Sequence, residues 1–164
     1  MSDDDILGNA SVARVAAALK AGGAAGTPMA LAATARTAQE AADSIGCPLG
    51  AIVKSLVFKV GGRAVLALVA GDRQCDTAVL PEELGLDGKA KRADPDLVRE
   101  ATGFAIGGVA PVGHPGSLPT AIDASLGRFD VLYAAAGHPH AVFPTTLDEL
   151  ARLTDGRLSE RLSR

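Results

Sequence analysis

The sequence predicts an α/β protein of the α+β type, with a curved, mixed, mostly antiparallel sheet surrounded by helices. Two apolar strand patterns, 51–60 and 63–71, follow one another across Gly61-Gly62, a dipeptide typical of a β-hairpin turn. Segments with helical spacing and capping residues stand on both sides of this hairpin. Strands and helices do not alternate regularly, so hairpins rather than β-α-β units dominate the predicted sheet.

The elements before the hairpin are predicted from apolar spacing, and they are a helix at 6–23, a strand at 28–34 and a helix at 37–46. The second helix begins with a capping box, in which Thr37 is the N-cap and Glu40 lies three positions later. Glycines follow both helices and predict their ends.

The elements after the hairpin are predicted as helices at 75–86, 94–103 and 146–156, strands or extended segments at 89–93 and 140–145, and one or two strands within 120–137. Asp94 as N-cap and Pro95 at the first helical position begin the middle helix. The segment 103–119, rich in glycine and proline, is predicted to be a loop. Neither a repeat nor a linker divides the chain, so we expect one domain, 1–164, with flexible ends at 1–5 and 157–164.

Charge and composition exclude several classes of function. The 164 residues carry 16 basic and 19 acidic side chains, and the net charge of −3 argues against broad wrapping of nucleic acid. No apolar run approaches the ~20 residues of a membrane-spanning helix, and the acidic start does not resemble a signal peptide. Cys47 and Cys75 lack paired spacing, which suits a reducing compartment. We therefore expect a soluble, cytoplasmic protein with neither a membrane nor DNA as partner.

Lys54 is an unusual residue within the strand 51–60. Alternate strand residues share a face, so Lys54 points the same way as Ile52, Leu56 and Phe58. One interpretation is that the strand begins near Lys54 and the side chain reaches water, which the pattern alone favours. The other is that its ammonium group lines a pocket for a polar or anionic ligand.

The loop 103–119 is a second candidate for function. Its glycines let a backbone approach a ligand closely, and its N–H groups could bind a carbonyl or an oxyanion. The order of its residues matches neither a P-loop nor a dinucleotide fingerprint. Taken alone, the loop is better explained by structure than by catalysis.

The remaining polar residues give weaker signals. His114, His138 and His140 do not have the spacing of a zinc site, so we expect no metal. No serine stands in a GxSxG elbow. Asp72 and Arg73 follow the second hairpin strand. They could form a turn that ends the strand or lie at the rim of a site, and the turn is the favoured interpretation.

Several segments together resemble a known family. They are "IVKSLVF", "VLALVAGDR", "ATGFAIGGVAPVGHP", "LPTAIDASL" and "AAGHPHAVFPTTLDELARLT", and they extend over about residues 28–155. In this order and separation they resemble the YbaK/EbsC family, free-standing relatives of the editing insertion domain of bacterial prolyl-tRNA synthetase. The strand lysine and the GGVxPxG loop are the most specific of these features.

The resemblance implies a trans-editing aminoacyl-tRNA deacylase of the ProXp type that needs neither a metal nor a cofactor. It places Lys54 in the editing pocket at the 3′ end of the tRNA, as the catalytic residue. It also implies substrate-binding roles for Gly107, Gly108, Val109, Pro111, Gly113, Gly137, His138 and Pro139. Met29 and Leu31, on the first strand, are further candidates for the pocket wall, although core packing is the favoured explanation for both.

The amino acid to be removed is left open by departures from the family pattern. Ala110 and Val112 stand where many relatives carry a proline and an aromatic residue. We expect tRNA(Pro) carrying alanine, cysteine, serine, threonine or a small non-protein amino acid as substrate, with prolyl-tRNA synthetase or an elongation factor as a possible helper. The alternatives are a non-catalytic module that binds tRNA or a synthetase, and a hydrolase of small aminoacyl esters.

Overall fold

The computed structural model describes residues 2–32 and 35–164. The helices in this part of the chain are α1 (Asp3–Leu7), α2 (Ala10–Ala21), α3 (Ala38–Ile45), α4 (Val79–Leu84), α5 (Pro95–Thr102) and α6 (Leu147–Thr154). The strands are β1 (Met29–Ala30), β2 (Ile52–Val60), β3 (Arg63–Ala70), β4 (Ala90–Arg92), β5 (Thr120–Asp123), β6 (Leu132–His138), β7 (Ala141–Thr145) and β8 (Arg157–Ser159). Short 3-10 turns precede β2 and follow β5.

All eight strands belong to one mixed sheet, as the sequence predicted. Its order is β1-β7-β6-β2-β3-β5-β8, and β4 pairs with β2 as well. The pairings β1–β7, β2–β3, β2–β4 and β6–β7 are antiparallel, whereas β2–β6, β3–β5 and β5–β8 are parallel. The predicted hairpin is β2–β3, and both turn glycines, Gly61 and Gly62, have positive φ angles of 57° and 84°. This is the backbone that a tight hairpin turn requires.

Strand β2 lies at the centre of the sheet and has a break along one edge. β3 pairs with it from Val53 to Val60, but on the other edge β6 pairs only with Ile52 and Val53. β4 begins its pairing at Phe58. Between these two neighbours, the described chain supplies no strand to the edge of β2.

The two faces of the sheet pack differently. One face carries the main core, in which Val53, Leu66 and Leu68 pack with Val15 of α2 and Leu150 of α6. The opposite face carries two separate apolar clusters. One of them surrounds Leu80 of α4, and the other comprises Leu31, Ala35 and Val142 with Ala41, Ile45 and Tyr133 beside them. A gap therefore remains between the two clusters where β2 crosses this face.

The N-terminal region differs from the prediction of one helix at 6–23 after a flexible end at 1–5. Ser2 and Asp5 form a capping box that starts α1, and Ile6 is buried. Asn9 then caps α2, its side chain accepting the N–H of Ser11 at 2.8 Å. A cap in the middle of an apolar pattern thus divides it into two helices. The predicted strand 28–34 is represented by β1, and its residues 33 and 34 lie outside the described residues.

The C-terminal segment also differs from the expected flexible end at 157–164. β8 pairs with β5, so that Leu158 lies opposite Ile122. Leu162 is fully buried, and Gln74 and Arg164 exchange backbone hydrogen bonds of 2.9 and 3.0 Å. A short polar segment is held here by sheet pairing and one apolar anchor, contacts that are distant in the sequence.

Three further elements refine the predictions. The helix expected at 75–86 is α4, which begins later, at Val79. The residues before it have other roles, because Cys75 forms a β-bridge with Ser163 and the side chain of Asp76 accepts the N–H of Ala78 in a turn. The segment 120–137 contains two strands, β5 and β6.

Among the described helices, none is long and apolar enough to span a bilayer.

Candidate active site

Lys54 lies on the face of β2 that carries the two separate apolar clusters. Its neighbours on that face are Ile52 and Leu56, and its side chain is half-buried. The ammonium group donates a hydrogen bond to the main-chain carbonyl of Arg73. Among the described residues, no carboxylate oxygen lies within 4.0 Å of this nitrogen. The lysine is therefore held in place by a neutral acceptor, and its charge is not neutralised by an ion pair.

The turn that offers this carbonyl is fixed by the segment after β5. Asp72 forms a bidentate pair with Arg128, with Nη2–Oδ1 and Nη1–Oδ2 distances of 2.8 and 3.0 Å. This hydrogen bonding lowers the pKa of the Asp72 carboxyl. The N–H of Arg73 donates to the carbonyl of Ala70 at 3.0 Å, which closes the turn that the sequence favoured. Buried Asp123 accepts the N–H of Ala70 at 3.1 Å and so holds the end of β3.

Three hollows border β2 around Lys54. The lysine hollow, of about 430 Å³, is lined by Lys54, Leu56, Phe58, Gln74, Cys75, Thr77, Ala90 and Arg92. The edge hollow lies at the unpaired edge of β2 and is lined by Ser55, Leu56, Val57, Phe58, Arg92, Ala93, Val98, Ile106, Gly107 and Val109. The tyrosine hollow, of about 200 Å³, is lined by Leu31, Ala35, Arg36, Thr37, Ala38, Ala41, Ile52, Val53, Gly107, Tyr133, Ala135, Pro139, Ala141 and Val142.

Neighbouring hollows share lining residues, and the three together are called the groove below. Leu56, Phe58 and Arg92 line both the lysine hollow and the edge hollow. Gly107 lines both the edge hollow and the tyrosine hollow. Lys54 stands between Ile52 of the tyrosine hollow and Leu56 of the other two. Lys54 itself lines only the lysine hollow.

The charge of this groove is basic. Lys54, Arg36 and Arg92 line it, and the described residues contribute neither a carboxylate nor a histidine to its lining. Cys75 is its thiol, and burial raises the pKa of that thiol to about 11, with Asp76 and Asp123 acting in the same direction. At neutral pH the groove therefore offers positive charge and hydrogen-bond donors, but no side chain suited to be a general base.

The glycine-rich loop is anchored at its start by buried contacts. The Thr102 hydroxyl donates to the carbonyl of Val98 at 2.7 Å and accepts the N–H of Phe104 at 3.0 Å. The ring of Phe104 is buried, and the guanidinium carbon of Arg14 lies 4.2 Å from its centroid. The N–H of Gly108 donates to the carbonyl of Ala105 at 3.0 Å. These bonds fix the backbone that presents Gly107 to the groove.

His114 stabilises the second half of the loop and does not line the groove. Its Nε2 lies 2.7 Å from the carbonyl of Ala110, so this nitrogen must be the donor. The ring packs edge-on against Phe104 at a centroid distance of 6.1 Å. Burial lowers the pKa of His114, and the nearby charge of Arg14 adds to this effect although the bond to Ala110 opposes it.

The structure brings some of the expected site residues together and separates others. Gly107 and Val109 line the edge hollow, and Gly107, Leu31 and Pro139 line the tyrosine hollow. Pro111 and Gly113 instead line a distal cleft with His114, Ser117, Thr120, Arg152 and Thr154, apart from Lys54. Met29 pairs with Val142 in the sheet, is 37% exposed and lines none of the three hollows.

Gly108, Gly137 and His138 meet behind the groove. A Cβ on Gly108 would lie 3.2 Å from the backbone of His138. Gly137 has a φ of 92°, and its Cβ would lie 2.8 Å from the carbonyl oxygen of Ser11. The Nδ1 atom of His138 accepts the N–H of His140 at 3.0 Å, and burial lowers the pKa of His138. These residues connect the loop, β6 and α2 by close backbone packing.

The family model of the aminoacyl-tRNA editing domain matches residues 32–153, which include β2, the glycine-rich loop and every residue of the three hollows except Leu31. The chain belongs to the aminoacyl-tRNA editing domain family. The resemblance seen in the sequence is thereby confirmed.

Individual relatives of this editing domain come from free-standing and synthetase-borne proteins. The uncharacterized protein YwhH of Bacillus subtilis (strain 168) is 34% identical over 119 residues, which are 72% of this chain and 74% of that protein. A proline–tRNA ligase of Oleidesulfovibrio alaskensis is 38% identical over 77 residues, 47% of this chain and only 13% of the ligase. A solved structure described as a candidate trans-editing enzyme for prolyl tRNA synthetase has a TM-score of 0.88 at 41% identity, covering 94% of this chain and 98% of its own.

Sequence reasoning missed one polar residue of the editing domain's groove. The Oγ atom of Ser55 is buried without a hydrogen-bond partner among the described residues, and Ser55 lines the edge hollow. The N–H of Ala93 donates to the carbonyl of Val57, which shows that odd-numbered residues of β2 direct their peptide groups away from β3. The peptide groups of Ser55 therefore face the part of the edge where β2 has no neighbouring strand. A serine among apolar neighbours was the available signal, because buried polar groups in proteins are normally paired.

Proposed function

We propose that the protein hydrolyses the ester that joins a wrong amino acid to the 3′ end of a tRNA, acting in trans on tRNA that a synthetase has released. The observation that carries this proposal is the position of Lys54. Its ammonium group lies in the lysine hollow beside Arg92, donates to the carbonyl of Arg73 and carries no ion pair among the described residues. Membership of the editing family supports the same function.

The chemistry requires positioning more than proton transfer by the protein. A water oxygen forms a bond to the ester carbonyl carbon, and the bond from that carbon to the ribose oxygen breaks. One proton of the water goes to the ribose oxygen and the other goes to solvent, so the amino acid leaves as a carboxylate. An aminoacyl ester is already activated, so stabilising the oxyanion and orienting the water supply most of the acceleration.

Lys54 and the backbone near Gly107 are suited to these tasks. Lys54 would hold a phosphate of the terminal nucleotide or polarise the ester carbonyl, and loop N–H groups would receive the developing oxyanion. Because the described lining lacks a carboxylate and a histidine, and the Cys75 thiol is neutral at physiological pH, the proton would move through water or the substrate's ribose hydroxyl.

We further propose that the substrate is tRNA(Pro) carrying a small amino acid such as alanine, cysteine, serine, threonine or a small non-protein residue. The tyrosine hollow, with its several alanines, is of a size for a small side chain. A pocket of this kind separates side chains that differ by a methylene by only ~1–3 kcal/mol, so overlapping substrates are expected. A synthetase or elongation factor is a proposed helper. Two unpaired cysteines fit action in the cytoplasm.

The test is a deacylation assay on tRNA(Pro) charged separately with alanine, cysteine, serine, threonine and proline. We expect the wild-type protein to release at least one of the wrong amino acids much faster than proline. Lys54→Ala should lower this rate by about 100-fold or more, because it removes a donor aimed at the reacting ester. Lys20→Ala is the matched control, since Lys20 is an exposed lysine of α2 that lines none of the three hollows.

The outcomes separate the alternatives. Near-normal activity of Lys54→Ala, at an unfolding temperature like that of the wild type, would exclude the proposed role of this lysine. Binding of tRNA by the wild type without release of any amino acid would favour a non-catalytic module. Equal activity on aminoacyl esters that lack the tRNA would favour a hydrolase of small esters.

A further inference from the structure

A short antiparallel ladder follows the turn whose carbonyl holds the groove's lysine. This short ladder joins residues 74–76 to residues 162–164, which are distant in the sequence. Gln74 and Arg164 form its first rung, because each donates its main-chain N–H to the carbonyl of the other, at 2.9 and 3.0 Å. The ladder therefore begins directly after Arg73, the residue that accepts the hydrogen bond of the lysine.

The far end of the short ladder is anchored in the core. The N–H of Asp76 donates to the carbonyl of Leu162 at 2.6 Å. The side chain of Leu162 is fully buried and belongs to the apolar cluster that surrounds Leu80 of α4. Burial of apolar surface is thus a sufficient reason for this end of the ladder to form.

Burial does not explain the first rung in the same way. Gln74 and Arg164 are both exposed. An exposed main-chain hydrogen bond replaces a bond to water, so its net contribution to stability is small. The clear effect of the rung is instead on geometry, because it fixes the orientation of the peptide group that takes part in it.

That peptide group connects the rung to Lys54. The carbonyl of Arg73 and the N–H of Gln74 belong to one planar trans peptide unit, so they point in opposite directions. The N–H donates to the carbonyl of Arg164, and the carbonyl accepts the ammonium group of Lys54. Holding one end of a rigid plane also orients the other end. Hydrogen bonds at the two ends polarise each other, which strengthens the bond to the lysine.

The contacts on the other side of the turn leave this orientation open. The N–H of Arg73 donates to the carbonyl of Ala70, and Asp72 is paired with Arg128. These contacts hold the chain up to the nitrogen of Arg73. The rotation of the following peptide group about the Cα of Arg73 is therefore set by the bonds on its far side, which are those of the first rung.

We propose that the main chain of Arg164 is a positioning element of the editing site, which orients the peptide group between Arg73 and Gln74 and thereby the ammonium group of Lys54. This inference rests on the proposed function, because that function assigns the reacting ester to Lys54. Residues 163 and 164 line none of the three hollows, so they act on the ester only through the lysine.

The test removes the first rung and keeps the buried anchor. A variant that stops after Leu162 loses both hydrogen bonds between Gln74 and Arg164. Arg164→Ala is the matched comparison, because it removes the same side chain and keeps the main-chain bonds. The truncated variant should deacylate the wild type's best aminoacyl-tRNA roughly 10-fold more slowly than Arg164→Ala, since small misplacements of a catalytic group are costly.

A double-mutant cycle separates positioning from a general loss of structure. In the Lys54→Ala background, the same truncation should change the remaining rate by less than about twofold, because two changes that act through one group are not additive. All rates are measured well below the unfolding temperature of the least stable variant. An equal loss in both backgrounds would overturn the inference, since a merely structural role would act with or without the lysine.

The ammonium group also gives a signal that needs no enzymatic activity. In proton–nitrogen correlation spectra of lysine side chains, a held ammonium group that exchanges slowly with water is visible, and the signal missing from Lys54→Ala is that of Lys54. We expect this signal in the wild type and in Arg164→Ala and expect its loss on truncation. Its persistence in the truncated variant, or its absence from the wild type, would overturn the inference.

Failure of this inference can be distinguished from failure of the proposed function. If the wild type deacylates none of the charged tRNAs, the proposed function fails, while the signal of Lys54 still tests whether the rung orients it. If the truncated variant does not fold, Arg164→Pro takes its place in both measurements, because proline lacks the N–H that Arg164 donates to Gln74.

Discussion

Replacing Gly137 by alanine should destabilise the protein more than the backbone conformation alone would suggest. Gly137 lies in β6 at the bulge between Ala135 and His138, with a φ of 92°. A positive φ costs a residue with a side chain about 1–2 kcal/mol. The added Cβ would also lie 2.8 Å from the carbonyl oxygen of Ser11 and 3.1 Å from Cε1 of Phe104. Since neither a helix backbone nor a buried ring can move freely, overpacking adds about 1–3 kcal/mol.

Gly23→Ala is the matched control for this change. Gly23 has a φ of 70°, yet a Cβ placed there has no atom within 4 Å, so only the backbone term applies. Taking about 3 kcal/mol for Gly137→Ala and about 1 kcal/mol for the control, the free energies of unfolding differ by about 2 kcal/mol. In a domain of this size, the unfolding temperatures should fall by roughly 6–12 °C and 2–4 °C respectively.

The assay is urea unfolding at constant pH, followed by circular dichroism and checked by thermal scans. Equal losses of free energy in the two variants would refute the inference that Gly137 is required by its contact with α2. Deacylation, measured well below the unfolding temperature, tests the role at the substrate that the family resemblance implies for Gly137. A variant that is fully folded but inactive would favour that role over the packing contact with Ser11.

Two other predictions concern titratable groups. Burial lowers the pKa of His114 below the 6.5 of a free histidine, so the unfolded chain binds more protons below about pH 6.5. The contribution of His114 to the free energy of unfolding should be fully present above that pH and be lost on acidification. The free energy of unfolding, measured with urea at several pH values, should therefore decline less steeply in His114→Gln than in the wild type. Equal declines in the two proteins would contradict this. The pKa of about 11 for Cys75 leaves fewer than about one thiol in a thousand ionised at pH 7.5. Cys75→Ala should therefore keep deacylation within about threefold, whereas a loss of 100-fold would indicate a thiol nucleophile.

Elements with local chemical signals were predictable from the sequence. The Gly61-Gly62 turn fixes the β2–β3 hairpin wherever the rest of the chain lies, because both residues need positive φ. Asp94 before Pro95 predicted the start of α5, and its side chain does accept the N–H of Leu97 at 2.8 Å. Such signals act within a few residues, so no knowledge of the tertiary fold is needed.

Elements held by distant contacts were not predictable in the same way. β8 exists because its backbone pairs with β5, and the buried side chain of Leu162 alone marks the segment as part of the core. The division between α1 and α2 depends on Asn9, a residue equally common in loops. In both cases a polar residue or segment acquires its structure from the contacts it makes, and its composition alone does not determine those contacts.

The site shows the same division. Alternation along β2 placed Lys54 on an apolar face, and that inference stands. It could not show that the apolar residues of that face form two clusters rather than one, because the clusters depend on how α3 and α4 cover the sheet. Nor could it show that Pro111 and Gly113 turn away from Gly107 within a single loop.

The bond between Lys54 and Arg73 explains how a lysine can remain both fixed and available. An ammonium group has three donors, and a main-chain carbonyl uses one of them without cancelling the charge. A carboxylate in its place would hold the side chain more tightly, but it would also neutralise the field that a phosphate or an ester oxygen must sense. Asp72, the acidic residue of the turn, is instead paired with Arg128. The turn therefore offers its carbonyl to the lysine and directs its carboxylate to Arg128, which leaves the ammonium charge without an ion pair among the described residues.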